Sequence, residues 1–120
     1  MKKWKYFKKE DFACKCCGMN NTSDLLIDKL DEAREIAGIP FKVNCGCRCK
    51  KHNSDPKIGG EPNSSHLTGL AVDLSAKTSE EKFKIVSSLL ACGFVRIGVY
   101  KTFVHGDIDT SKPQNMIWHG

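Results

Sequence analysis

What this sequence lacks narrows it first. Its longest apolar runs are only a few residues, far short of the ~20 needed to cross a bilayer, so no transmembrane segment is expected. The opening MKKWKYFKKEDF is basic, but no apolar stretch follows it, so no Sec-type signal peptide is expected. Beyond Trp4 and Tyr6, no aromatic residue interleaves with the N-terminal lysines, and no stacking platform for a nucleic acid is predicted. Repeats and low-complexity tracts are absent. Two zinc-ribbon knuckles are missing as well: Cys14, Cys16 and Cys17 read C-x-C-C, and Cys45, Cys47 and Cys49 read C-x-C-x-C.

Cysteine itself is not scarce. There are seven, an odd number that excludes complete pairing within one chain. A four-thiolate site joining the two clusters, disulfides between them, and burial as small apolar groups all stay open. Cys92, beside Gly93 among apolar neighbours, reads as core. The 120 residues suffice for one domain, and 40% hydrophobic with 28% charged residues is a globular balance. Most of the net charge of +5 is local, because residues 1–15 hold six lysines against Glu10 and Asp11. Residues 1–12 therefore read as a basic arm, anchored by Phe7 and Phe12, on a single domain of residues 13–120. Such an arm is either a solvated terminus or an attractor of polyanions.

Residues 24–37 predict a helix, with Leu26, Leu30, Ala33 and Ala37 at helical spacing, a cap at Thr22 or Ser23, and a stop at Gly38 and Pro40. Residues 41–44 are a short strand candidate. Residues 45–65 read as a long functional loop, broken by Pro56, Gly59, Gly60 and Pro62. A strand at 70–74 precedes a helix that opens with the Thr78/Glu81 capping box and runs to Ala91. Its apolar face is read as Phe83, Val86 and Leu90, with Ile85 and Leu89 flanking. Strands follow at 94–99 and 102–108, paired as a hairpin around Tyr100 and Lys101, with a last short strand at 116–118. The order predicts an α+β fold, a small antiparallel sheet with flanking helices.

His66, Asp73 and His105 are the informative polar residues. Asp73 and His105 lie in otherwise apolar strands, where an unpartnered charge is costly. Two imidazoles and a carboxylate are the protein ligands a catalytic zinc needs, with water in the fourth position. Gly69 and Ala71 would let the backbone pass close to a bound substrate. Asp107, two residues after His105 on the same strand face, suits either an acceptor for a ligand imidazole or the general base. Asp109 continues that face. His52 and His119 read as surface residues, and Trp118 as core, sheet edge or cleft wall.

The run S-S-H-L-T-G-L-A-V-D followed by F-V-H-G-D resembles the S-x-H-x-x-G-x-A-x-D and H-x-D motifs of zinc D-alanyl-D-alanine peptidases. These have the hedgehog/DD-peptidase fold and cut peptidoglycan stem peptides, often as phage endolysins. V-N-C-G-C-R-C-K-K-H-N is similar to the family's S-G-Y-R-x-x-x-x-N segment, G-G-E-P-N-S-S-H to its approach to the first ligand, and F-A-C-K-C-C-G to an opening seen in some members. The resemblance runs from about Phe12 to Trp118. It implies zinc (Zn2+) on His66, Asp73 and His105. It further implies Arg48 as the cation for a substrate carboxylate or oxyanion, and Ser64 as a substrate-binding or loop-orienting residue. The implied activity is a D-Ala-D-Ala carboxypeptidase or an L-Ala-D-Glu type endopeptidase acting on the cell wall, as a phage or prophage lysin or a virion-associated protein. With no signal peptide expected, synthesis in the cytoplasm is expected, and so is a monomer. No nucleic-acid partner is implied.

Three positions depart from the family pattern. Thr102 stands where many members carry a glutamate base, which makes Asp107 the candidate. Cys45 and Cys47 replace the usual serine and tyrosine. Gly106 replaces an apolar residue and is expected to loosen its strand. Two rival readings follow: a cell-wall-binding module of the same fold without catalysis, and a structural zinc protein using the cysteine clusters.

Overall fold

The structure, a computed structural model, describes residues 3–120. Met1 and Lys2 of the basic segment, and the side chain of His52, lie outside the described residues. A 3-10 turn, Lys9–Phe12, leads to helix α1 (Asp24–Ala37) and strand β1 (Val43–Cys45). The short helix α2 (Lys50–Asn53), strand β2 (Ala71–Ser75) and helix α3 (Ser79–Ala91) follow. Strands β3 (Arg96–Val99), β4 (Phe103–Asp107) and β5 (Met116–His119) complete the chain. The long loop is therefore not wholly irregular: one helical turn forms in it ahead of Pro56.

The fold is α+β, with one five-stranded sheet in the order β1-β2-β4-β3-β5. The sheet is mixed and not wholly antiparallel, since β5 runs parallel to β3 at the edge while every other pair is antiparallel. The connection explains this. Asp107 at the end of β4 lies at the same end of the sheet as Arg96 at the start of β3. A loop that hops over β3 alone delivers β5 beside it in the same direction, with Met116 opposite Arg96.

Strand alternation divides the sheet into two faces. Val72, Leu74, Val104 and Ile97 are fully buried in one core cluster with Leu26, Ile27 and Leu30 of α1 and Ile85 and Leu89 of α3. Ser23 occupies the N-cap of α1 without a side-chain cap bond, and Gly38, at φ 69°, closes its C-terminus. Thr78 and Glu81 form the predicted capping box of α3. The apolar face of α3 differs from expectation. Ile85, Ser88 and Leu89 are buried, whereas Phe83 is 74% exposed and Leu90 is 46% exposed. Apolar residues surround much of this helix, so two stripes satisfy helical spacing, and packing against the sheet and α1 selects the one containing Ile85 and Leu89. Leu89→Ala is expected to cost about 2–5 kcal/mol, and Phe83→Ser less than about 0.5 kcal/mol. Urea denaturation measures both, and equal losses would contradict this face assignment.

Gly106 does not loosen β4. A Cβ there would meet Leu89 Cδ1 at 3.2 Å and Phe94 Cδ2 at 3.3 Å, so those side chains already fill the space. The N-terminal basic segment also has a partner within the chain. Trp4 Nε1 donates to Asp28 at 2.8 Å, the Lys5 and Tyr6 amides donate to Asp31, Lys5 pairs with Glu35, and Lys9 pairs with Asp24. These carboxylates lie along one side of α1 at helical spacing. Phe7 and Phe12 enter the core behind them. Among the described residues, no helix is long and apolar enough to cross a membrane.

Candidate metal centre

The face of the sheet away from the helices carries one continuous row. Cys45 pairs with Asp73, Asp73 with His105, His105 with Gly98, and Gly98 with Trp118. Strand register thus places the β2 carboxylate and the β4 imidazole directly side by side. His105 Nδ1 lies 3.0 Å from Asp73 Oδ1. Gly98 keeps the row passable: a Cβ there would lie 2.4 Å from Trp118 Nε1. Trp118 lies against His105 with ring centroids 5.6 Å apart and forms part of the cleft wall.

His66 reaches the row from the loop before β2. The loop is held by backbone bonds from Leu67 to Ser64 and from Leu70 to Ser65, and Ser64 Oγ accepts from the His66 amide at 3.2 Å. Gly69 has φ +72°, and a Cβ there would sit 2.2 Å from the Asn21 carbonyl oxygen. Its small size therefore serves a left-handed turn and a close approach to a neighbouring strand of backbone, and not a substrate as the motif spacing suggested. His66 Nδ1–H donates to the Gly46 carbonyl at 2.6 Å, which leaves Nε2 as the available nitrogen. Nε2 lies 3.4 Å from Asp73 Oδ1. The structure thus brings His66, Asp73 and His105 together around one carboxylate oxygen.

Burial alone would push the Asp73 carboxyl up, but hydrogen bonds from His105 and His66 outweigh it and hold Asp73 well below the usual carboxylate range. Burial would likewise depress His66, but its interactions with Asp73 and Cys45 push it up to about 9. His105 is also raised, with Asp107 and Asp73 overcoming the effect of burial. A carboxylate that draws protons onto two imidazoles also favours a divalent cation in their place. The spacing agrees. Bonds of about 2.1 Å in a tetrahedral zinc site set donors about 3.4 Å apart, close to the 3.4 and 3.0 Å separations here. The donor set fits zinc.

Cys45, His66 and Asp73 form a group whose donor atoms all lie within 4.8 Å of one another. Cys45 Sγ, however, lies 3.7 Å from His66 Nδ1, the nitrogen already engaged by Gly46. Because Gly46 engages Nδ1, Nε2 is the nitrogen that His66 keeps for an ion, and through it His66 faces Asp73 on the side of His105. The Cys45 thiol instead accepts from Arg48 Nε at 3.2 Å.

The other predicted residues converge on the same open cleft of about 460 Å³, whose wall includes Arg48, Ser64, His66, Asp73, His105 and Asp107. Arg48 is held from three sides: by Cys45, by Asn53 Oδ1 at 3.2 Å, and by Asp73 Oδ2 at 3.6 Å. Asp107 Oδ2 accepts from His105 Nε2 at 2.8 Å, and its Oδ1 accepts from Arg96 Nε at 2.8 Å and from the Asp109 amide. Burial raises the Asp107 carboxyl, and His105 and the other donors bring it net downward. Asp109 lies apart from the row, accepting from Ser65 and Ser111. Thr102 is exposed at the β3–β4 turn, and His119 is exposed on β5.

Three contributors went unassigned in the sequence. Gly46 offers only a backbone oxygen, which no side-chain pattern reveals. Asn53 is 4% exposed, and its amide donates to the Glu61 carbonyl at 2.7 Å, tying the loop to Arg48. Its place at the end of the arginine motif was the available signal. Arg96 partners Asp107, because strand alternation puts it on the cleft face of β3. Comparison with known families agrees with the geometry: a family model described as Peptidase M15 matches residues 5–107. No curated protein matches the chain.

Proposed function

Because the chain belongs to the peptidase M15 family, we propose that it is a zinc metallopeptidase hydrolysing an amide bond in a peptidoglycan stem peptide. The observation that carries this reading is Asp73 Oδ1 facing both His66 Nε2 and His105 Nδ1 in an open cleft. His66, Asp73 and His105 would hold zinc, which when bound polarises a carbonyl and lowers the pKa of bound water to about 7.

The protein's own groups prepare that chemistry. Gly46 fixes the tautomer of His66, and Asp107 fixes that of His105 by accepting a hydrogen bond from its Nε2–H. Arg96 neutralises Asp107 and holds it in place. Arg48 presents a guanidinium to the anionic end of the peptide or to the developing oxyanion, and Ser64 orients the His66 loop. Of the two roles considered for Asp107, orientation suits it, since it is 1% exposed and already has three donors. Glu61 lines the cleft and is exposed to solvent, and it is the carboxylate we propose as the base. Asp107→Asn is expected to weaken zinc affinity about 10–100-fold. Glu61→Gln should lower kcat at unchanged zinc content. Competition with a metal indicator and steady-state kinetics read the two effects, and unchanged zinc affinity in Asp107→Asn would contradict the orienting role.

Such an enzyme would act on the cell wall, in the manner of a phage or prophage lysin. Mass spectrometry of defined stem peptides, with and without chelator, tests the function. One hydrolysed bond, lost with chelator and regained with zinc, is expected. A second reading rests on Thr102, which puts no carboxylate where many relatives have a base: a wall-binding module that retains the metal. Stem-peptide binding without any cleavage would favour it over the peptidase.

A further inference from the structure

We propose that Cys14, Cys17 and Cys49 hold a second, structural zinc ion. The site lies outside the cleft and does not depend on whether the cleft hydrolyses peptides.

Cys14 and Cys17 are separated by two residues, a knuckle spacing that the intervening Cys16 disguises in the sequence. The chain around them is folded as a tight turn. The Gly18 amide donates to the Cys14 carbonyl at 2.8 Å, the Cys14 amide donates to the Met19 carbonyl at 2.8 Å, and Gly18 has φ +78°. That left-handed residue reverses the chain immediately after Cys17, so both thiols point to one side. Cys49 arrives from the second cluster, and its amide donates to Cys14 Sγ at 3.3 Å. The donor sulfurs of Cys14, Cys17 and Cys49 all lie within 4.8 Å of one another. The Cys16 thiol is in hydrogen-bond contact with Cys49, which holds Cys16 above the usual thiol range.

Sulfur ligands at about 2.3 Å place tetrahedral donors roughly 3.8 Å apart, so the cluster has the dimensions a thiolate zinc site needs. Three thiolates are soft donors that select zinc over hard cations. Three lysines adjoin these cysteines in sequence, Lys15, Lys50 and Lys51. Their ammonium groups supply positive charge beside a thiolate centre.

The remaining cysteines are accounted for elsewhere. Cys45 faces Arg48 and His66, Cys47 donates to Asn21 Oδ1 at 2.8 Å, and Cys92 is buried in the core cluster. This division places three thiols in one site, Cys16 beside Cys49, and three with separate surroundings. None of the seven is disulfide-bonded. The placement also has a consequence for the cleft, since Cys49 directly follows Arg48. A metal at this point would pin the N-terminal loop to the segment that aims the guanidinium.

The test uses the full chain, purified without chelator and then reconstituted with cobalt as the probe. The expected result is about two metal ions per chain and a strong sulfur-to-cobalt charge-transfer band. His66→Ala should keep that band and lose the other metal. Cys14→Ser and Cys17→Ser should abolish or sharply weaken it, whereas Cys47→Ser and Cys92→Ser should leave it intact. Absence of the band in the wild-type protein would overturn the proposal, and this result needs no variant to fold. A band unchanged in Cys14→Ser and Cys17→Ser would also overturn it, as would a disulfide among these residues found by non-reducing peptide mapping.

Discussion

His105→Ala should reduce stem-peptide hydrolysis at least about a thousandfold, because the loss of a metal's charge stabilisation removes several kcal/mol of transition-state binding. His105 stands at the middle of the row, with Nδ1 on Asp73 and Nε2 on Asp107. Its removal strips the centre of one of two imidazoles and frees the Asp107 carboxylate from its orienting task. The fold should survive. Asp73 keeps His66 and Arg48, and Asp107 keeps Arg96 and the Asp109 amide, so neither carboxylate is left buried without a partner. Chelator should bring the wild-type protein to the activity of the variant. Added zinc should restore the wild type and leave His105→Ala inactive. A variant keeping more than about a tenth of the wild-type rate would remove His105 from the centre.

Arg48→Ala should lower kcat/KM by about 10²–10³-fold, the range for removing one donor aimed at developing charge. Arg48→Lys should recover little of it, because an ammonium cannot reproduce a guanidinium fork held at fixed angles by Asn53 and Cys45. Zinc content should change far less than activity, since Arg48 touches Asp73 at Oδ2 and the imidazoles share Oδ1. Steady-state kinetics beside metal analysis separate the two effects. An Arg48→Lys enzyme of wild-type kcat/KM would mean that only a positive charge is required there.

Much of the centre was legible because it rests on short periodicities. An aspartate in an apolar strand, and a histidine two residues before another aspartate, identify one face of a sheet before its strand order is known. The order itself was not legible. Nothing local states that β2 neighbours β4, or that Gly98 of β3 makes room for Trp118. The direction of β5 depends on which strand the final loop crosses, a long-range choice. The buried stripe of α3 was misread because Phe83, Val86 and Leu90 repeat as well as Ile85 and Leu89, and packing alone decides between them. The N-terminal lysines read as facing outward because charge was counted by segment. Their partners Asp24, Asp31 and Glu35 were already spaced along one side of a predicted helix. The cysteine clusters concealed most, since proximity in the fold joins Cys49 to Cys14 and leaves Cys47 turned toward Asn21.

Anomalous diffraction at the zinc absorption edge, on crystals of the full chain, tests the central claim most directly. The account predicts a peak within bonding distance of His66 Nε2, Asp73 and His105 Nδ1. A peak beside Cys45 and His66 Nδ1, or no zinc among the two histidines and Asp73 in crystals grown with zinc, would contradict it.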